Sequence, residues 1–138
     1  MNNISPNEEE LPKRKVSKLL FVYDANAGRI GAFLDSARKL LMIGGCALCT
    51  ITHSIFGEKT EWQECKEELG VPIDYYHRDD IPAPLKELVI GNLPCIVAQV
   101  GTDYIMLLGP AVLQRCRGDV HDLKGRIHYY LVANNLTL

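Results

Sequence analysis

Residues 93–108 read Leu93-Pro94-Cys95-Ile96-Val97-Ala98-Gln99-Val100-Gly101-Thr102-Asp103-Tyr104-Ile105-Met106-Leu107-Leu108. Two apolar runs of strand length flank Gly101-Thr102-Asp103, and this pattern predicts a β-hairpin. Just upstream, Val71-Pro72-Ile73-Asp74-Tyr75-Tyr76-His77 predicts another strand. Arg78-Asp79-Asp80 then opens a loop, and Pro84 suits the first turn of a short helix running through Val89. Downstream, Asp119 is placed to cap a helix whose apolar stripe is Val120, Leu123, Ile127, Tyr130 and Leu131. Nearer the start, Leu19-Leu20-Phe21-Val22-Tyr23 predicts a buried strand that runs into the loop Asp24-Ala25-Asn26-Ala27-Gly28. A helix is expected next, because Ile30, Phe33, Leu34, Ala37, Leu40 and Leu41 recur at steps of three and four before Gly44-Gly45. Thr60 and Gln63 form a capping-box pattern ahead of the stripe Trp62, Cys65 and Leu69, which ends at Gly70. The alternation of strands and helices predicts an α/β fold.

A chain of 138 residues with 47% hydrophobic and 23% charged side chains is long enough for one core and short for two, so residues 16–138 are read as a single domain. Residues 1–15 carry Glu8-Glu9-Glu10 and Lys13-Arg14-Lys15 without apolar periodicity and are expected to form a mobile tail. The net charge of -2 gives no general attraction to nucleic acid or anionic lipid, so neither is an expected partner. No export-type apolar stretch opens the chain, and no run reaches the length of a membrane helix; the expectation is a cytoplasmic protein. In that compartment five cysteines do not make a disulfide scaffold, and an odd number leaves one unpaired. Cys95 and Cys116 stand alone among apolar neighbours and read as small buried hydrophobes.

Gly44-Gly45-Cys46-Ala47-Leu48-Cys49-Thr50-Ile51-Thr52-His53 carries the chemistry. Thr50, Ile51 and Thr52 are β-branched and favour a strand, yet the spacing of Cys46, Cys49 and His53 places all three on one helical face. A helical turn entered through Gly44-Gly45 and ended by Gly57 is the expectation. Three uses suit the pair. In the first, Cys46 is the attacking and Cys49 the resolving thiol of a redox couple, with a helix N-terminus and His53 favouring the thiolate. In the second, Cys46, Cys49 and His53 ligate zinc, with Cys65 or His77 as the fourth ligand; zinc is the one cofactor considered. In the third, the cysteines and a hydrogen-bonded histidine are a structural cluster. A separate reading makes the loop with Asp24, Asn26 and Arg29 a binding element of a non-catalytic module, because α/β sheets place ligands at the carboxyl ends of their strands. Asp and Asn beside Gly also build turns with no ligand at all. His77-Arg78-Asp79-Asp80 is read as a turn, and Gly28 and Gly31 lack the ending of a phosphate loop.

The order strand, helix, inserted helical segment, strand, short helix, hairpin, helix resembles the thioredoxin-like fold over about residues 17–134. Its best local support is Gly91-Asn92-Leu93-Pro94-Cys95-Ile96-Val97, which looks like the segment where a cis-proline opens the terminal hairpin. The resemblance implies a mixed sheet flanked by helices, with Pro94 as the cis-proline, which nears the cysteines only if their segment folds back onto it. It also places the redox pair of that fold at Ala25-Asn26-Ala27-Gly28-Arg29, where this chain has no cysteine, so Cys46 and Cys49 fall within a helical insertion. The chain is similar as well to a bacterial family of unassigned function. That family pairs Tyr-Asp/Asn-Ala-Asn/Asp-x-Gly, here Tyr23 to Gly28, with Cys-x-Leu-Cys-x-x-Thr-His, here Cys46 to His53. The partners expected on these readings are protein thiols or a small polar ligand.

Overall fold

The structure, a computed structural model, describes residues 12–26, 46–54 and 57–138. In chain order its elements are β1 (Arg14–Lys15), β2 (Lys18–Val22), α1 (Ala47–Thr52), β3 (His53–Ser54), β4 (Gly57–Glu58), α2 (Thr60–Leu69) and β5 (Ile73–Tyr76). They continue with α3 (Ala83–Val89), β6 (Cys95–Val100), β7 (Asp103–Leu108), α4 (Pro110–Arg115), α5 (Val120–Ala133) and β8 (Leu136–Thr137). The helix expected over Ile30–Leu41 lies outside the described residues, as does Arg29.

β2 is the centre of a four-stranded mixed sheet in the order β5-β2-β6-β7. It pairs parallel with β5, Phe21 opposite Tyr75, and antiparallel with β6, Val22 opposite Cys95. Its continuous apolar run follows from this place, since a central strand covered on both faces has no solvent side to show in its sequence. Leu19 and Phe21 point into the larger core with Leu48, Trp62, Leu113, Leu123 and Ile127. Leu20 and Val22 point the other way, against Leu85 and Val89 of α3 together with Cys95 and Val97. Among the described helices, α3 therefore covers one face, and α1, α2, α4 and α5 supply the core of the other.

The hairpin forms as expected, with a turn one residue shorter. Val100 pairs with Asp103, so only Gly101 and Thr102 lie outside the ladder, and Gly101 takes φ +60°. Glycine in that position is what a two-residue turn with a left-handed first residue requires. α2 begins at Thr60 with Lys59 as its N-cap and no side-chain cap bond, so the expected Thr60–Gln63 capping box is not formed. It ends on Gly70 at φ +67°, the left-handed C-terminal residue that glycine adopts most readily. α3 carries Pro84 in its first turn, as its sequence implies. The last residues of the expected tail take part in a short strand pair. Arg14 and Lys15 pair in parallel with Leu136 and Thr137, and Val16, beside them, is buried. Two-residue strands leave no periodicity to read.

α5 is fastened at its start by Asp119, whose Oδ1 accepts from the backbone N–H groups of His121 at 2.9 Å and Asp122 at 3.4 Å. These are donors that the helix itself cannot satisfy. Asp119→Ala is expected to lower unfolding free energy by about 1 kcal/mol, measured by urea denaturation against the parent chain.

Candidate functional site

The segment from Cys46 is helical although three β-branched residues in a row argue for a strand. Leu48, Cys49, Ile51 and Thr52 are buried, a pattern that a six-residue helix produces by laying one side on the core. Two threonines return hydrogen bonds to the preceding turn, Thr50 Oγ1 to the Ala47 carbonyl at 2.7 Å and Thr52 Oγ1 to the Leu48 carbonyl at 3.2 Å. Such bonds occupy hydroxyls that would otherwise draw the chain out of the helix. Tertiary burial thus overrides local propensity. The expectation fails at His53, which leaves the helix in an extended conformation and begins β3, so it does not share a helical face with the cysteines.

Cys46 is the N-cap of α1 and Cys49 lies in its first turn. The two are joined by a disulfide, their Cα atoms 5.3 Å apart, within the span that bridged cysteines occupy. Cys49 is fully enclosed and Cys46 only 1% exposed. Cys46 nevertheless lines a cleft of about 380 Å³, together with Ala47 and Thr50 of α1. The opposite wall is Leu93 and Pro94, joined by a cis peptide bond at the entrance to β6. Pro110 and Gln114 of α4, followed by Arg117 and Gly118, complete the lining. The antiparallel register explains why Pro94 is here, because Cys95 sits opposite Val22 and the start of β6 therefore meets the carboxyl end of β2.

A chain of hydrogen bonds holds α1 at that end of the sheet. Tyr23, the residue after β2, has its hydroxyl 2.9 Å from Thr52 Oγ1, and Thr52 Oγ1 lies 2.6 Å from His53 Nδ1. Thr52 has one proton and three neighbours. They are the Leu48 carbonyl, the Tyr23 hydroxyl and His53 Nδ1. Burial pushes the Tyr23 hydroxyl well above the usual phenol range and holds His53 below its usual value, so both are neutral at pH 7. The two motifs that the sequence places far apart, Tyr23 to Gly28 and Cys46 to His53, thus meet at Tyr23, Thr52 and His53.

A second polar cluster borders the first. Glu58, paired with His53 in the β3–β4 ladder, accepts from Lys66 Nζ at 3.0 Å and from the Tyr75 hydroxyl at 2.9 Å. Trp62 Nε1 in turn donates to the Tyr75 oxygen at 3.2 Å. The Tyr75 ring stacks on Tyr23 with centroids 6.0 Å apart and meets Phe21 edge-on. Burial alone would raise the Glu58 carboxyl, but the bonds from Lys66 and Tyr75 outweigh it and hold the group below its ordinary range.

The proposed zinc set is not assembled. Cys46 and Cys49 are bonded to each other, and His53 turns Nδ1 to Thr52. Cys65 is a separate buried thiol on α2, in a small recess against His121 and Lys124, while His77 pairs with Asp80 at 2.9 Å. Among the described residues no group of three or more His, Cys, Asp or Glu side chains converges in a way that could hold a metal ion. Cys95 and Cys116 are free and buried, as expected for small hydrophobes, and burial pushes their thiols up to about 12 and about 11.

The expected binding residues divide. Pro94 lines the cleft, whereas Asp24 and Asn26 do not. Asp24 lies 3.6 Å from the Arg78 guanidinium, and the Arg78 backbone N–H donates to the Ala25 carbonyl, so this loop is tied to the turn after β5. Asn26 is exposed. Sequence reasoning missed Thr50, Gln114, Arg117 and Gly118. The pair Gly109-Pro110, an N-cap and first helical residue ahead of Ala111-Val112-Leu113, was the available signal for α4.

No helix among the described residues is long and apolar enough to cross a membrane. Compared with known proteins, the chain matches no family model, no curated protein and no solved structure.

Tyr23→Phe removes the hydroxyl that pairs with buried Thr52 and is expected to cost about 1 to 2 kcal/mol of stability by urea denaturation. Glu58→Gln tests the second cluster through pH. The side chains of Glu58 and Lys66 are 25% and 29% exposed, so the expected loss at pH 7 is about 1 kcal/mol. Because the folded carboxyl is held below its ordinary range, its contribution is complete above the ordinary glutamate value and is lost as pH falls through the depressed one. The melting temperatures of parent and variant are expected to converge over that acid interval.

Proposed function

We propose that this chain is a thiol–disulfide redox protein of thioredoxin-like architecture, working in the cytoplasm through Cys46 and Cys49. One observation carries the reading: Cys46, bonded to Cys49, shares a cleft with Pro94. The strand order β5-β2-β6-β7, one parallel pair followed by an antiparallel hairpin, supports the architecture, with Pro94 at the entrance to the hairpin as the resemblance implies. In place of a cysteine pair directly after β2, the segment carrying α1 returns to the carboxyl end of that strand.

On this reading the two sulfurs do different work. In the reduced protein the Cys46 thiolate attacks one sulfur of a substrate disulfide, forms a mixed disulfide, and the departing thiolate takes a proton. Cys49, after giving its proton to solvent, attacks Cys46 Sγ and displaces the second substrate thiolate, which is protonated in turn. The protein dithiol is oxidised to the Cys46–Cys49 disulfide as the substrate disulfide is reduced to two thiols. Cys49, enclosed and absent from the cleft lining, is the resolving partner. With six residues, α1 supplies little axial dipole to Cys46. The poise of the thiol therefore depends chiefly on its surroundings in the cleft.

With dithiothreitol-reduced protein and a small disulfide as oxidant, the parent chain is expected to lose two thiols as a pair. Cys46→Ser is expected to lose this activity, and Cys49→Ser to stop at a stable mixed disulfide visible by intact mass. Retention of the full rate in Cys46→Ser overturns the redox reading and leaves a binding cleft with a structural disulfide.

A further inference from the structure

The cleft that contains Cys46 has an electrostatic bias. Of its described lining residues only Arg117 is charged, and none is Asp or Glu. Arg117 follows α4 in a left-handed conformation, φ +51°, that a non-glycine residue adopts uncommonly. Its backbone N–H bonds to the Gln114 carbonyl, and its guanidinium has no ion pair among the described residues. Gln114 and Arg117 also line an adjoining open groove with Arg115, again with no acidic residue among those described. Lys59, whose Nζ donates to the Gly118 carbonyl at 3.0 Å, adds a second cation behind the 117–118 turn. The whole chain carries a net charge of -2, so this cationic wall is a local feature and not an overflow of general basicity.

We propose that the cleft selects small disulfides bearing a carboxylate, which Arg117 binds while the adjacent sulfur meets Cys46. This rests on the redox reading and names its substrate class. A cleft of about 380 Å³ has the size of a small-molecule site, and the 1% exposure of Cys46 favours a slender disulfide over a broad protein surface. A planar guanidinium with unpaired N–H groups is the side chain best suited to a carboxylate.

The test uses two probes on the fully reduced chain: 5,5′-dithiobis(2-nitrobenzoate), with two carboxylates, and 4,4′-dithiodipyridine, with none. In each case the probe S–S bond breaks as it accepts two electrons and becomes two thiolates or their thione tautomer. The Cys46–Cys49 disulfide forms, and reaction at that pair is assigned by subtracting the trace of the Cys46→Ser, Cys49→Ser double variant, which retains Cys65, Cys95 and Cys116. Arg117→Ala is expected to slow the carboxylate probe about three- to fivefold and Arg117→Glu by roughly tenfold. Both should slow the neutral probe less than the carboxylate probe, since loss of a nearby cation also lowers the thiolate fraction that every disulfide meets, and Arg117→Lys should restore most of the anionic rate. The difference between the probes is expected to shrink as salt rises. Equal slowing of both probes, or slowing of neither, overturns the substrate assignment while leaving the redox reading intact. A parent chain whose reaction with the neutral probe matches that of the double variant overturns the redox reading and the assignment with it.

Discussion

The burial of β2 on both faces is the constraint from which the rest of the structure follows. A strand with Leu19, Phe21 and Leu20, Val22 divided between two cores needs a hydrogen-bonding neighbour on each side, because its backbone groups have no water to turn to. β5 and β6 fill those places, one parallel and one antiparallel. The antiparallel choice for β6 turns the chain so that Pro94 arrives where β2 ends. The hairpin then adds β7 as the edge, and α5 packs back across β7.

At that end of the sheet, polar groups do what packing alone does not. Tyr23 leaves β2 still buried and needs a partner for its hydroxyl, and Thr52 meets the need at the last residue of α1. The bond ties the helix of the cysteine pair to the central strand, and the ring contacts from Tyr23 to His53, Tyr75 and His77 set the aromatic floor around it. The Glu58, Lys66 and Tyr75 cluster anchors the β3–β4 ladder to α2 and β5, so His53 is held from both sides. The two cysteines are thereby placed by hydrogen bonds and ring contacts made elsewhere on the segment. That placement lets the Cys46–Cys49 disulfide lie beside the loop before the hairpin.

The sequence was legible where the signal is local. β2, β5 and the hairpin show as apolar runs between turn residues. Asp119, Pro84 and Gly70 mark helix ends because capping, the fixed φ of proline and a left-handed glycine act within a few residues. The stripe Trp62, Cys65 and Leu69 is buried as its spacing implies. Thr60 misled by one position, since a threonine in the first helical turn and one at the cap look alike in sequence.

What the amino-acid order determined by itself is the set of core strands, the capped helices, and the presence of a cysteine pair with spacing suited to disulfide formation. Tertiary structure alone decided that Thr50-Ile51-Thr52 is helical, that His53 turns away from the cysteines, that Arg14–Lys15 joins Leu136–Thr137, and that Arg117 stands in the cleft with Cys46. The physical reason is separation along the chain. Periodicity and caps act over a turn or two of backbone, whereas the cleft joins residues 46–50, 93–94 and 110–118, which meet only when β6 pairs with β2 and Tyr23 binds Thr52.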